Sequence, residues 1–369
     1  FCPWRDCPQH GRRGAGYRFQ RFGSYRRRGV DVPRFRCVSC GRTFSRQAFS
    51  IAYYLKRPEL LRPVAAGLVA GAAHRQIART LGCAPSTVTR LAARLGRHAL
   101  LLHAHALQWL ARNGGVAEPI VFDHFETFEL TQDLPFGVAT AVGSESWLVY
   151  AVDPAPHRRA GRTTPHQRER LAKRPRTPTR GGYRGSVRRL LDRLVGLGGG
   201  EPLELLSDDH LSYRAALARH PARGTIRLRT HRNPERGPRG APRPPEALAR
   251  DRALFPVDVL HGLIRHSQAA HRRETIAFGR RLNALMERLY VLTVWRNFVK
   301  GRSERRPDRT TPAMRVGLTD RPWTWERVLA RRLFPARERL TETERALYDR
   351  RWPTPALGRN TVHRPAIAY

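Results

Sequence analysis

Four of the five cysteines fall within the first forty residues, at Cys2, Cys7, Cys37 and Cys40. No other feature constrains the chain as tightly. The spacing is Cys2-x4-Cys7, a long gap, then Cys37-x2-Cys40-Gly41. Two pairs of thiolates are what a tetrahedral structural zinc ion requires. In CVSCGRTF, the glycine after the second cysteine lets backbone amides face the sulfurs. The first pair is more widely spaced than usual, which leaves His10 as an alternative ligand. No export signal is read, so the grouped cysteines argue for metal rather than disulfides. Residues 1–50 carry few aliphatic side chains and need the metal to fold.

Charge bounds the partner. The chain has 369 residues, 69 Lys+Arg against 30 Asp+Glu, and a formal net charge of +39. The excess runs along the whole length rather than sitting in one tail. A compact protein so charged repels itself, and a polyanion is the simplest compensation. Nucleic acid is the expected partner. Almost all the positive charge is arginine, the lysines being Lys56, Lys173 and Lys300. Arginine forks onto phosphate and guanine edges. The most apolar stretch, LRPVAAGLVAGAA, is broken by Arg62 and Pro63 and is too short to span a bilayer. A cytoplasmic, nucleoid-associated location is expected. The start at Phe1 rather than Met predicts further residues ahead of it.

Patterning divides the chain. Residues 51–112 read as helical, and 111–119 (ARNGGVAEP) as a linker. IVFDHFETFEL, FGVATAVG and WLVYAVD then read as successive strands. Residues 157–184 form a basic, proline-bearing segment. YRGSVRRLLDRLVGL (183–197) reads as an amphipathic helix, and PLELLSDD (202–209) and TIRLRTH (225–231) as further strands. Residues 232–252 are basic and Pro-rich, and a long helical stretch is expected from about Val257 to Phe298. The Arg/Pro-rich tail, 301–369, has no assigned role. The expected fold class is multidomain α/β, with a mixed sheet and helices on its faces.

HRQIARTLGCAPSTVTRLAARLG (74–96) reads as a helix-turn-helix, with an ordinary helical hairpin as the alternative. Ile77, Ala78 and Leu81 form one apolar stripe, Gly82 permits the turn, and Val88, Leu91 and Leu95 bury the second helix. Ser86 is the expected cap, and Cys83 a small buried residue. Ser86, Thr87, Thr89 and Arg90 then face outward, where a recognition helix meets base edges, with Gln76 and Arg79 near phosphates.

Asp123 follows Ile120-Val121-Phe122 near the middle of a strand. Asp208 follows Leu205-Leu206-Ser207 at the end of another. An acid beside an apolar strand core is costly unless it meets a cation or an edge. Two such acids on neighbouring strands can share divalent metal.

Five stretches, RFRCVSCGRTFS (34–45), RQIARTLG (75–82), FDHFETFE (122–129), LLSDDHLSY (205–213) and HRRETIAFGRRLNALMERL (271–289), occur in an order that resembles bacterial insertion-sequence transposases of the DDE class. The resemblance implies a zinc ribbon (1–50), a helix-turn-helix domain (51–112) and a ribonuclease-H-like catalytic domain (118–300). Carried over by residue, Asp123 and Asp208 match the first two acids of the family, Asp208 rather than Asp209 because it stands five residues before Tyr213. Glu274 is the expected third, on a helix face shared with His271, Phe278 and the DNA-contacting Arg281. Asp258, in DVLHGLIR, is its alternative.

Such an enzyme implies phosphoryl transfer on DNA with Mg²⁺ or Mn²⁺ held by these acids, since hard cations prefer carboxylate oxygens. The expected partners are the terminal repeats of a mobile element and target DNA, with a homo-oligomer to pair the ends. Two non-catalytic alternatives stay open, a DNA-binding regulator and an inactive transposase derivative.

Overall fold

The computed structural model describes residues 1–12, 16–27, 29–159, 163–173, 182–235, 238, 240–305, 307–354 and 362–363. It is a multidomain α/β architecture with two sheets. Strands β1 (Phe19–Arg27), β2 (Val30–Cys37) and β3 (Thr43–Ser45) pair antiparallel in the order β1-β2-β3. Beneath them lies a small core of Cys2, Cys7, Cys37, Phe44 and Ala48. A sheet this small buries too little apolar surface to stand on hydrophobicity alone.

Helices α1 (Leu61–Val69), α2 (His74–Thr80) and α3 (Pro85–Arg112) follow. Gly82, at φ +56°, takes the left-handed conformation that the turn between α2 and α3 needs. The expected cap is displaced. Ala84 is the N-cap of α3 and Pro85 its first residue, because proline's fixed φ and missing N–H suit that position. Ser86 therefore lies one residue inside the helix. α3 is 28 residues long, about 42 Å. It does not stop at the end of the expected helix-turn-helix, and its second half enters the main core.

Strands β4 (Ile120–Phe128), β5 (Pro135–Gly143) and β6 (Val149–Pro156) form an antiparallel meander. β7 (Leu203–Asp208) pairs parallel with β4, and β8 (Ile226–His231) parallel with β7. The five-stranded order is β6-β5-β4-β7-β8. Ile120, Val121 and Phe122 are all buried, as expected of a central strand covered on both faces.

One face of the sheet is covered by α5 (Gly182–Val195), which is followed past β7 by α6 (Leu211–Ala218). The other carries α7 (Pro245–Ser267), which packs on β4, β5, β7 and β8. Strand alternation sends His124 and Asp153 toward α5, where they meet Ser186 and Arg189. It sends Asp123 toward α7 and His261.

Three helix expectations are corrected. α4 (Pro165–Ala172) lies in the basic segment, and its signal was present as Thr164-x-x-Gln167. Thr164 Oγ1 accepts from Gln167 N at 3.2 Å, while Gln167 Oε1 accepts from Thr164 N at 3.0 Å. α7 begins at Pro245, within the stretch 232–252 read as basic and Pro-rich. The helix expected over 257–298 is broken between α7 and α8 (Leu282–Val294). The intervening Thr275, Ile276 and Gly279 are poor helix formers, and Gly279 O accepts from Leu130 N at 2.7 Å instead.

The tail is part of the core. After α8 come α9 (Pro312–Arg315), α10 (Trp325–Leu329) and α11 (Glu342–Tyr348). One buried apolar cluster runs from Ile51 through all five sheet strands to Trp352. Arg350 reaches Glu287 of α8 with two 2.7 Å hydrogen bonds, and Arg97 of α3 reaches the same carboxylate at 3.3 Å. No helix among the described residues is long and apolar enough to cross a membrane.

α3 crosses α8 at Gly96. A Cβ there would stand 2.4 Å from Glu287 Cβ and 2.5 Å from Glu287 O. Alanine normally stabilises an exposed helix relative to glycine. Here Gly96→Ala is expected to destabilise the chain by about 1–3 kcal/mol through overpacking. Denaturant unfolding of this variant beside Gly224→Ala, where a Cβ meets nothing within 4 Å, checks this. Equal stability of the two variants would sink the idea.

Candidate active site and metal centre

The ligand atoms of Cys2, Cys7, Cys37 and Cys40 all lie within 4.8 Å of one another. Cys2 Sγ is 3.9 Å from Cys40 Sγ, and Cys7 Sγ is 3.7 Å from Cys37 Sγ. A tetrahedral Zn–S bond of about 2.3 Å sets an S–S edge of about 3.8 Å. The four sulfurs can therefore hold a zinc ion, and these separations are too long for disulfides. The backbone prepares the site: Gly41, at φ +67°, turns the chain so that its N–H reaches Cys37 O at 2.9 Å. Burial pushes the Cys37 thiol up, but the amides of Cys40 and Ser39 and the Tyr17 hydroxyl outweigh it and bring it down to about 7. Burial holds the Cys2 and Cys7 thiols above their ordinary range, where a bound cation would be needed to deprotonate them.

His10 is not a fifth candidate. Its Nδ1 donates to Cys2 O at 2.8 Å, and its ring packs edge-on against Phe1 and Phe334. Phe334 belongs to the tail, as does Arg337, which donates to His10 O and lies 3.8 Å over the Phe1 ring. The metal unit is thus clamped from the far end of the chain. We expect about one zinc per chain by elemental analysis, and none in Cys37→Ser. Chelation should expose residues 1–49 to protease. A metal-free chain with this segment still protected would refute the site.

In the α2–α3 pair, Gln76, Arg79, Ser86, Thr89 and Arg90 are exposed, Thr87 is half-buried, and Ile77, Ala78, Val88 and Leu91 are buried. Gln76 caps α2 through Ala73 N at 2.7 Å. Thr89 Oγ1 donates to Pro85 O at 3.0 Å and meets His74 Nδ1 at 3.1 Å. Arg90 folds back on Ser86. Cys83 is half-buried in the turn and packs on the main core.

Asp123 and Asp208 stand side by side. The parallel ladder pairs Ile120 with Leu205 and Val121 with Leu206, and the same offset carried two residues further sets Asp123 against Asp208. Burial pushes the Asp123 carboxyl up to about 6, helped by the Asp208 charge and, more weakly, by Asp258. Asp123 Oδ1 accepts from His124 N at 2.7 Å and from the Tyr213 hydroxyl at 3.0 Å. Because Tyr213 gives its proton to Asp123, its oxygen accepts from His124 Nδ1 at 2.8 Å. The remaining ring nitrogen meets Ser186 Oγ at 2.8 Å. The Ser186 hydroxyl in turn donates to Tyr183 O at 2.9 Å, and burial holds His124 at about 3, so the ring is neutral.

Asp208 and its neighbour differ. Asp209 is taken by Arg232, at 3.0 Å, and by Arg214. Among the described residues, Asp208 accepts only from His210 N, at 3.2 Å, and from Asn233 Nδ2, at 3.5 Å. That leaves most of its lone pairs open.

The two candidates for the third acid separate clearly. Glu274 is exposed and non-helical, in the break between α7 and α8, and Arg281 is the extended N-cap of α8. The helix face expected to join Glu274 to His271, Phe278 and Arg281 does not form. Asp258 lies on α7, over the sheet face that bears Asp123, and its Oδ2 accepts from Arg250 at 2.6 Å.

One turn on from Asp258, His261 was missed in the sequence. Its Nε2 meets Thr140 Oγ1 at 2.8 Å and its Nδ1 stands 4.0 Å from Asp123 Oδ2. Burial holds His261 at about 3, so it is neutral and not an ion-pair partner. The signal was the i, i+3, i+7 spacing of Asp258, His261 and Arg265 in DVLHGLIR.

Among the described residues, the cysteines are the only group of three or more potential ligands that all fall within 4.8 Å of one another. The acids therefore form no cage for one ion. Two ions about 4 Å apart, each about 2.1 Å from its oxygens, put the outer carboxylates up to about 8 Å apart. What joins Asp208 and Asp258 to Asp123 is the action of their charges on its carboxyl. No protein-family model matches the chain, and no curated protein matches it.

The raised Asp123 carboxyl has a stability consequence. Its folded pKa of about 6 exceeds the unfolded value of about 3.9, so the folded state binds the extra proton. Stability falls as pH rises between these values, by up to ~3 kcal/mol, and the full cost is present above pH 6. Asp123→Asn should therefore unfold at higher temperature than wild type at pH 8 without divalent metal, with the gap closing by pH 4. A pH-independent gap would show that the charge is not its cause.

Proposed function

We propose that the chain is a DNA transposase of the DDE class, cleaving and joining strands at the ends of a mobile element. One observation carries the reading: Asp123 and Asp208 follow the paired segments of two adjacent parallel strands and the charge of one acts on the other, with α7 above them bringing Asp258 and His261. A structural role does not account for two mutually repelling acids in a half-buried position. The strand order, with β5 alone antiparallel to the rest, suits a ribonuclease-H-like core.

Asp123 would hold both divalent ions, with Asp208 and Asp258 each completing one. Asp258 is preferred to Glu274 because its charge already acts on Asp123 from the facing helix. The ions supply activation of the attacking oxygen and neutralisation of the leaving one. The chain's own residues supply orientation. Tyr213 and His124 lock the Asp123 rotamer from the opposite face of the sheet. Arg250 holds Asp258.

DNA is the partner that fits a net charge of +39. The exposed first turn of α3 would meet base edges, with Gln76 and Arg79 near phosphate. Pairing two element ends calls for at least two copies of the chain.

The test is cleavage of a plasmid carrying the DNA that flanks the coding sequence, with Mg²⁺ or Mn²⁺. Asp123→Asn, Asp208→Asn and Asp258→Asn should each lower cleavage by about a hundredfold or more. Glu274→Gln should leave the rate unchanged. Undiminished nicking in Asp123→Asn and Asp208→Asn would overturn the proposal. DNA binding with no cleavage by wild type would favour a regulator.

A further inference from the structure

On the face of the sheet away from Asp123, a cavity of about 980 Å³ opens between β6, α5, α6 and α11. Its volume lies at the upper end of the range for small-molecule and cofactor sites. Three arginines line it, Arg184 and Arg188 one turn apart on α5, and Arg219 at the end of α6. All three are exposed, and among the described residues none has an ion-pair partner.

Of the four acids in the lining, Asp153 is held by Arg189 and Glu344 by Arg193 at 2.9 Å, while Asp192 meets His220 at 3.1 Å, a partner that carries charge only when protonated. Glu342 also has a partner. Five arginines against four acids leave the lining net positive, and Arg184, Arg188 and Arg219 gather where α5 and α6 meet. Three like charges around one opening favour a bound anion, and guanidinium forks suit phosphate oxygens.

The interior has a different chemistry. Tyr150 and Tyr290 are 1% and 2% exposed and line the cavity with Ala151, Val152 and Leu190. His103, 2% exposed, also lines it. Its Nε2 is 2.8 Å from Val149 O, and a carbonyl only accepts, so Nε2 carries the proton. Burial holds the ring at about 4, so it is neutral. Nδ1 is then a bare acceptor, buried and, among the described residues, without a partner. A buried, unmatched acceptor is costly and calls for a donor from a ligand or water.

We propose that this cavity binds a single nucleotide, its phosphate on Arg184, Arg188 and Arg219 and its base, carrying N–H donors, against the tyrosines and toward His103. The same chemistry can come from a free nucleotide or from one unstacked nucleotide of a DNA strand. The site is separate from the acids and does not depend on the reaction assigned to them.

The experiment uses the full-length, zinc-loaded chain. One arm titrates fluorescent mant-dATP. The other titrates a duplex whose single-stranded 3′ overhang carries 2-aminopurine, and follows the unstacking signal. The double variant Arg184→Ala/Arg188→Ala changes only exposed residues and should keep the fold. Arg227→Ala/Arg252→Ala removes the same charge from exposed positions outside the cavity. His103→Phe fills the interior acceptor.

Binding in either arm should weaken by about tenfold or more in the rim double variant and be little changed in the charge control. A response in the first arm alone identifies a free nucleotide, and in the second alone a DNA nucleotide. His103→Phe should weaken binding of the base-bearing probes and leave inorganic phosphate competition intact. No binding in either arm, or equal weakening in the rim and control variants, would overturn the proposal. Cleavage by wild type is measured separately, so failure here and failure of the transposase reading are distinguishable.

Discussion

The crossing of α3 and α8 is the constraint on which the rest of the molecule depends. At Gly96 the helices approach so closely that no side chain fits between them. Glu287 sits at this contact and is claimed by Arg97 from α3 and Arg350 from the tail. A buried carboxylate costs several kcal/mol in desolvation and is retained only when fully matched. Two guanidiniums match it. Residues 97, 287 and 350 are thereby fixed together, although they are distant in the sequence. The sheet, the helical front and the C-terminal helices share one interior as a result.

A second dependence runs through the four-cysteine unit. Its own core is five small or aromatic side chains, and the rest of its surface leans on Phe334 and Arg337 from the tail. The segment that looked least informative in the sequence thus carries much of the tertiary contact. Arginine is what allows this. In the tail it donates to backbone carbonyls, as Arg332 does to Ala48 and Arg345 to Pro335, and it stacks on rings. These uses consume positive charge that composition alone assigns to nucleic acid.

Much of the architecture was legible because its signals are local. Short apolar runs in IVFDHFETFEL and PLELLSDD mark β4 and β7, and the paired cysteines announce their own geometry. Asp123 and Asp208 could be singled out as acids following apolar strand cores, a placement whose cost demands an explanation. What could not be read depended on distant partners. The segment holding Glu274 has arginines and aliphatics at helical spacing, yet its backbone is diverted by Leu130 from the β4–β5 turn. The sequence favours Glu274 over Asp258, and the packing of α7 over β4 is what turns the preference to Asp258. The Ser86 cap failed for a simpler reason, since Pro85 takes the first helical position by covalent geometry. His261 was hidden because a histidine on an apolar helix face is usually core.

The length of α3 has a mechanical meaning. From Ser86 to Leu110 the helix is unbroken and rises about 36 Å, which is close to one turn of B-form DNA. Its first turn is exposed and its last turns are embedded beside the sheet. No hinge separates the two ends. In the proposed enzyme this makes α3 a ruler. The offset between the bases read at one end and the bond cut at the other would be set in the protein, in whole helical phase, rather than by a flexible tether.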